Sequence, residues 1–212
     1  KAFIPYGAYW SSPFVRWQGS LANAHSMRLA AEVAGEVLAA KKIDPKGLDG
    51  LILGMSVPQR QSFYGAPWLA GMLGAPSITG ATVAQACATS ARVLASAATE
   101  IETGHRACIL GVCCDRTSNG PHVYYPAPAA PGGRGEAEDW VWDNFNEDPW
   151  AKHPMIDTAE NVARASGITR EEQDAITLLR YEQYAAALAN GRAFQKRYMA
   201  PVTLRAGKKE MG

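Results

Sequence analysis

Cys87 stands in the run Val83-Ala84-Gln85-Ala86-Cys87-Ala88-Thr89-Ser90. A β-leaning stretch, Ile78 to Val83, precedes it, and small and apolar residues at helical spacing follow it. A cysteine at such a strand-to-helix junction meets the helix N-terminus, where free N–H groups and the positive end of the dipole stabilise a thiolate. A thiol so placed has a lowered pKa and can attack an acyl carbon to form a covalent intermediate. The same residue also reads as a small buried hydrophobe, the commoner role of a free cysteine. Position alone leaves both readings open.

The other reactive residue types do not assemble into a motif. Cys108, Cys113 and Cys114 are irregularly spaced in apolar surroundings, unlike a disulfide framework, and neighbours 113 and 114 cannot easily bridge. That usage favours a reducing, cytoplasmic setting. The four histidines, 25, 105, 122 and 153, form no pair with cysteine at zinc-binding spacing, so no metal site is expected. His25 and His122 read as surface or hydrogen-bonded residues. Trp140, Trp142, Phe145 and Trp150 cluster in sequence with Tyr124 and Tyr125. They could line a pocket for an aromatic group, or pack in a core or interface.

The elements that must position Cys87 follow from periodicity. Residues 26–41 repeat apolar side chains at helical spacing, with Ser26 as a possible cap. Leu51 to Leu53, ending at Gly54, reads as a buried strand, and a small-residue helix covers about 65–73. From Cys87 to Ile101 the helix is apolar nearly all round, which predicts burial. Gly104 ends it, and Ala107 to Cys114 form a core strand. Strand, helix and strand alternate, so the fold class is α/β. Residues 119–150, rich in Pro, Gly, Trp and acidic groups, make an excursion too long for a plain connector. Two capping-box spacings follow, Asp157 with Glu160 and Thr169 with Glu172. The second opens a long helix to about Asn190, stopped by Gly191. Val202 to Gly212 begin an element the sequence does not finish.

With 212 residues, 47% of them apolar, the chain can bury a sizeable core. Its net charge of +1 argues against a nucleic-acid footprint. No stretch is long and apolar enough for a membrane span, and the first residues lack the features of a signal peptide. The sequence does not begin with Met, so a few residues are expected before it.

The run QACATSARVLASAATEIETGHRACILGVCCDRTSNGP resembles the nucleophile region of thiolases. In that family a cysteine opens a buried helix, followed by a strand and a Glu-Ser-Met-Ser-like turn ending in Pro. Cys87 falls on the nucleophile, and Asp115, Ser118 and Pro121 fall on the turn. The run MIDTAENVARASGITREEQDAITLLRYEQYAAALANG resembles the family's loop-domain motif at Met155, Thr158, Ala159, Glu160, Asn161 and Val162. SSPFVRWQGSLA is similar to the family's Arg-Thr-Pro-Phe start. Several positions depart from the pattern. Thr89-Ser90 replace Ser-Gly, Val112-Cys113 replace Gly-Gly, and Asp115 replaces Glu. Pro154 stands where His is usual, with His153 one place early, and Ile156 replaces Gly.

The resemblance implies a thiolase fold with an N-terminal core domain over 1–118, carrying the nucleophile, and a loop domain over 119–212 that binds substrate and CoA. It implies an acyltransferase that cleaves a 3-oxoacyl-CoA through an acyl-cysteine. Coenzyme A is then a co-substrate rather than a covalently bound cofactor. Met155 matches a position beside the pantetheine, and His153, Ser118 and Tyr124 are further candidates for substrate or CoA contact. The family's second half, of similar fold, supplies acid–base residues that cannot be placed here, so the chain is expected to act only with that half. YWSSPFVRWQGS, DRTSNGPHVYYP and EDWVWDNF are similar to a thiolase of anaerobic aromatic degradation, which converts benzoylsuccinyl-CoA to benzoyl-CoA and succinyl-CoA. Relatives of that kind pair with a small OB-fold and zinc-ribbon subunit. Family members are dimers or tetramers, so a homodimer or tetramer is expected, with residues 78–87 at or near the contact. A biosynthetic condensing enzyme and a non-catalytic acyl-CoA-binding subunit stand as alternatives. The run from Thr158 favours a thiolase over the first, and the match at Cys87 counts against the second.

Overall fold

The computed structural model describes residues 1–206 and 209–211. The expected element over 202–212 therefore lies partly outside the described residues. Within it, β6 (Leu204–Ala206) and β7 (Lys209–Met211) pair antiparallel. The chain forms two compact units, one of residues 1–120 with 199–212 and one of residues 121–198.

The first unit is built on β1 (Gly50–Gly54), buried at every position, with β2 (Thr82–Val83) on one side and β3 (Ile109–Cys113) on the other. Both pairings are parallel: Leu53 lies opposite Thr82, and Gly50 to Gly54 run in register with Ile109 to Cys113. Parallel neighbours require crossover connections, which helices provide here. Helix α1 (Ser26–Ala40) and helix α2 (Ala66–Met72) precede and follow β1, and helix α3 (Thr89–Glu102) joins β2 to β3. The fold is α/β, as expected from the alternation of strand and helix.

Alternation along the strands sorts their side chains between two faces. Leu51, Leu53, Leu110 and Val112 join Met27, Ala31 and Leu38 of α1 and Leu69 and Ala70 of α2 in one apolar cluster. Against the other face, α3 comes close to the backbone itself. A Cβ on Gly54 would stand 2.8 Å from Thr89 Cγ2 and 2.8 Å from Val93 Cγ2, and one on Gly111 would stand 2.9 Å from Val93 Cγ1.

Several expectations need correction. Helix α3 buries only Thr89 and Val93, and Leu94 is 54% exposed. Its other small residues cover little of the sheet, so apolar composition did not translate into burial within this chain. Ser26 does not cap α1; His25 occupies the N-cap, its side chain making no bond to the helix's N–H groups, and Ser26 is buried in the first turn. The β-leaning run 78–83 pairs only at its last two residues. Gly80 explains part of this: a Cβ there would overlap Leu51 O, so the chain presses backbone to backbone before it straightens.

In the second unit, β4 (His122–Tyr125) and β5 (Glu136–Asp139) form an antiparallel hairpin, followed by helix α4 (Trp142–Asn146). Helix α5 (Met155–Ser166) has Pro154 at its N-cap, so Asp157 sits in the first turn rather than capping it. The capping box at Thr169 and Glu172 does form, with both reciprocal bonds, at the start of α6 (Arg170–Arg192). Helical geometry breaks at Ala189, Asn190 and Gly191, close to the expected stop. Among the described residues, no helix is long and apolar enough to cross a membrane.

Asp49 ties the start of β1 to the strand beside it. Its carboxylate accepts from Ala107 N (2.7 Å) and Cys108 N (3.0 Å), and these bonds lower its pKa. A lowered carboxylate pKa adds stability that is fully present above the unfolded value, about 4, and is lost as pH falls through the folded value. Asp49→Asn is expected to lower the urea midpoint at neutral pH, with the gap to wild type closing as the medium is acidified below pH ~4.

Candidate active site

In open parallel sheets, ligand sites gather beyond the carboxyl ends of the strands. Here the three strands end at Gly54, Val83 and Cys113. The segments leaving them bring Ser56, Cys87 and Asp115 to one edge of the sheet.

Cys87 is exposed and lies on a 3-10 turn, Ala86–Ala88, ahead of α3 rather than within its first turn. The turn enters through an unusual backbone. Gln85 has φ −146° and ψ 45°, and Ala86 has φ +44°. For a residue with a Cβ, the left-handed region costs about 1–2 kcal/mol, so neighbouring bonds must hold it. Thr89 supplies two of them: its hydroxyl donates to Ala86 O (2.7 Å) and accepts from Gln85 N (2.8 Å). Ser56 Oγ lies 2.9 Å from Thr89 Oγ1 and 3.2 Å from Ala86 O. Arg92, on α3, donates from Nε to Gln85 Oε1 (2.7 Å) and fixes that side chain beside the turn.

Asp115 completes the edge. Its Oδ1 accepts from Ser56 N (2.9 Å) and Val57 N (2.8 Å), and Oδ2 also accepts from Ser56 N (3.1 Å). The residue is exposed overall, but desolvation of the carboxyl outweighs these hydrogen bonds and raises its pKa.

The other cysteines differ in environment. Burial pushes the Cys114 thiol up to about 12, outweighing the lowering influence of the nearby Ser26 hydroxyl. Desolvation, and then the Asp115 charge, raise Cys113. Adjacent residues alternate between faces of a strand. Cys113 Sγ accordingly lies against the α3 side, by Gly54, while Cys114 packs on the cluster between the sheet and α1 and α2.

The remaining candidates divide between the units. Ser118 is buried in the first, its Oγ accepting from Gln18 N at 2.8 Å. Tyr124, His153 and Met155 lie in the second. Tyr124 is 61% exposed, and its hydroxyl accepts from Gly135 N (3.0 Å). His153 is half-buried, with Nδ1 3.1 Å from Pro154 O. Met155 begins α5 and is 44% exposed. A feature not read from the sequence shapes their approach. Asp148 Oδ1 accepts from Trp150 N (2.8 Å) and Ala151 N (2.7 Å), closing the loop that leads into His153 and α5. Tyr124, Tyr125, Trp142, Phe145 and Trp150 are exposed. A hollow on this unit is lined instead by polar groups, among them Glu138, Asp143, Asn144 and Lys152. His25 is hydrogen-bonded, its Nε2 2.6 Å from Arg60 O. Among the described residues, no group of three or more His, Cys, Asp or Glu could hold a metal.

Sequence reasoning missed Ser56 and the bonding role of Thr89. The signal for Ser56 was its place two residues beyond a fully buried parallel strand. Thr89→Val keeps the shape of the side chain but leaves Gln85 N and Ala86 O each without the hydroxyl. It is expected to cost about 1 kcal/mol in chemical denaturation.

Comparison with known proteins places this geometry among relatives. The family described as the thiolase N-terminal domain matches residues 9–211. The acetyl-CoA acetyltransferase of Paracoccus denitrificans is 29% identical over 205 residues, covering 94% of this chain and 51% of that protein. Among solved structures, the acetyl-CoA acetyltransferase of Bacillus anthracis superposes with a TM-score of 0.82 at 27% identity, over 94% of this chain and 50% of that one. Human mitochondrial 3-ketoacyl-CoA thiolase, in a complex with CoA, gives a TM-score of 0.78 at 25% identity, again over 94% and 50%. The chain thus spans about half the length of these relatives.

Proposed function

Because this chain belongs to the thiolase family through its N-terminal domain, we propose that it carries the nucleophile of a CoA-dependent acyltransferase, and that the nucleophile is Cys87. The observation that supports this most is the position of the thiol. It stands exposed beyond the carboxyl edge of a parallel sheet, on a tightly bonded turn at the entrance to α3. The N-cap residue Ala88 makes no side-chain cap bond, so no capping side chain competes with a ligand at this helix end.

In the reaction, the Cys87 thiolate adds to the keto carbon of a 3-oxoacyl-CoA. The bond between that carbon and the neighbouring one breaks, leaving the acyl group on sulfur, and the departing carbanion takes up a proton to become a shorter acyl-CoA. The thiol of a second CoA then attacks the acyl-cysteine and regenerates Cys87. Both additions place negative charge on the substrate oxygen, which needs preorganised donors. The N–H of Cys87 is one candidate. The remaining donors and the acid–base groups fall to a second half of similar fold.

Residues 121–198 form the body of the proposed loop domain of 119–212, with Met155, His153 and Tyr124 as its ligand contacts and Ser118 on the turn that precedes it. CoA and acyl-CoA are the proposed ligands, a reading supported by the CoA complex of the human relative. The acyl group we favour is aromatic, as in benzoylsuccinyl-CoA, on the strength of the exposed Trp and Tyr side chains of this unit. A cytoplasmic homodimer or tetramer, with an OB-fold accessory subunit, completes the proposal.

Iodoacetamide tests the nucleophile. Cys87 is expected to alkylate fastest, Cys108 more slowly, and Cys113 and Cys114 slowest, as read by mass spectrometry of each peptide. Equal slow rates at all four would point to a non-catalytic acyl-CoA-binding subunit instead. The isolated 212-residue chain is also expected not to turn over acetoacetyl-CoA in a coupled CoA-release assay. Turnover at ordinary enzyme rates would remove the need for a second half.

A further inference from the structure

The strand order β2-β1-β3 puts the middle strand's exit between the other two. Ser56 therefore lies between Asp115, which leaves β3, and the turn at Ala86, which follows β2. The Asp115 carboxylate accepts from its backbone N–H and is bonded to its hydroxyl as well, and that hydroxyl oxygen also lies within reach of Ala86 O and Thr89 Oγ1. One residue thus touches both neighbouring segments.

We propose that Asp115 is a positioning residue for Cys87, acting through Ser56 on the strained peptide that precedes the thiol. This rests on the reading of Cys87 as the nucleophile. Two successive N–H groups, Ser56 and Val57, converge on one carboxylate oxygen, a charge-assisted arrangement stronger than neutral pairing. That clamp fixes where the Ser56 hydroxyl sits. The hydroxyl in turn helps hold Ala86 O in place while Ala86 keeps φ +44°, a conformation the turn would leave if its bonds were loosened. Release of Ala86 would rotate the following residue, and with it the direction of the Cys87 side chain.

The Asp115 carboxylate lies against the main chain of 56–57, where it accepts from both N–H groups. It acts on the reacting thiol only through other residues and is not itself a catalytic group.

The test compares Asp115→Ala, Asp115→Asn, Ser56→Ala and the double variant Asp115→Ala/Ser56→Ala with wild type, all in the full chain. The readout is the iodoacetamide rate at Cys87 divided by that at Cys108, with Cys114 as the monitor of unfolding. Asp115→Ala and Ser56→Ala are each expected to lower the ratio roughly three- to tenfold while Cys114 stays protected. Asp115→Asn keeps an acceptor at the Oδ1 position and is expected to recover most of the loss. The double variant should be no slower than the slower single one, because both act on one path. An unchanged ratio in Asp115→Ala and Ser56→Ala would overturn the positioning role while leaving a fast Cys87 in place. Additive losses, or a rise in Cys114 labelling together with the change at Cys87, would also overturn it in favour of a merely structural clamp. If wild-type Cys87 reacts no faster than Cys108, the nucleophile reading itself falls, and the positioning role with it.

Discussion

Helix α3 can lie on the sheet at near-backbone distance because Gly54 and Gly111 place no side chain beneath it. Val93 fills the space the two glycines leave, and it is 2% exposed. Any larger residue at either glycine would meet Val93 within about a carbon–carbon contact and lift the helix. The first residue of that helix is Thr89, whose hydroxyl closes the turn bearing Cys87. The height of α3 above the sheet therefore sets where the thiol stands. Packing at two glycines and chemistry at one cysteine are parts of a single constraint.

That constraint also explains what the sequence could and could not reveal. Helix α1, the buried strand at 51–53 and the capping box at Thr169 were legible because each depends on local pattern alone. The stop near Gly191 was legible for the same reason, since a left-handed backbone favours Gly and Asn. Asp157 shows the limit of such patterns. Its spacing to Glu160 fits a capping box, but Pro154 two residues upstream of Ile156 had already started the helix, so the pair fell inside it. Helix α3 shows a different limit. Its residues are apolar or small nearly all round, but burial depends on what covers a helix, and among the described residues α3 packs mainly on the strands of the sheet.

At the site, the residue expected to carry the chemistry was readable from type and position, while its supports were not. Cys87 announces itself by the strand-to-helix junction. Ser56 lies 31 positions before Cys87, and Asp115 lies 28 after it. Nothing in local spacing says that these meet. Only the strand order does, because β1 must be central for Ser56 to reach both sides. Ser118 illustrates the reverse. The resemblance singles it out beside the turn, but its hydroxyl oxygen accepts from the backbone of Gln18, which anchors the N-terminal segment.

The four thiols share a unit but not a chemical character, and the strand geometry accounts for the difference. Alternation sends Cys113 toward α3 and Cys114 into the apolar cluster, and desolvation of each sulfur makes it hold its proton more tightly, although Cys113 as a residue is exposed. For Cys113, the neighbouring Asp115 carboxylate adds to the effect, since a second negative charge beside it is unfavourable. That carboxylate is directed instead at the N–H groups of 56 and 57, which absorb its charge. Here the acid adds to the desolvation that raises Cys113, the last residue of β3. The middle strand stands between it and the turn of Cys87, which it reaches through Ser56.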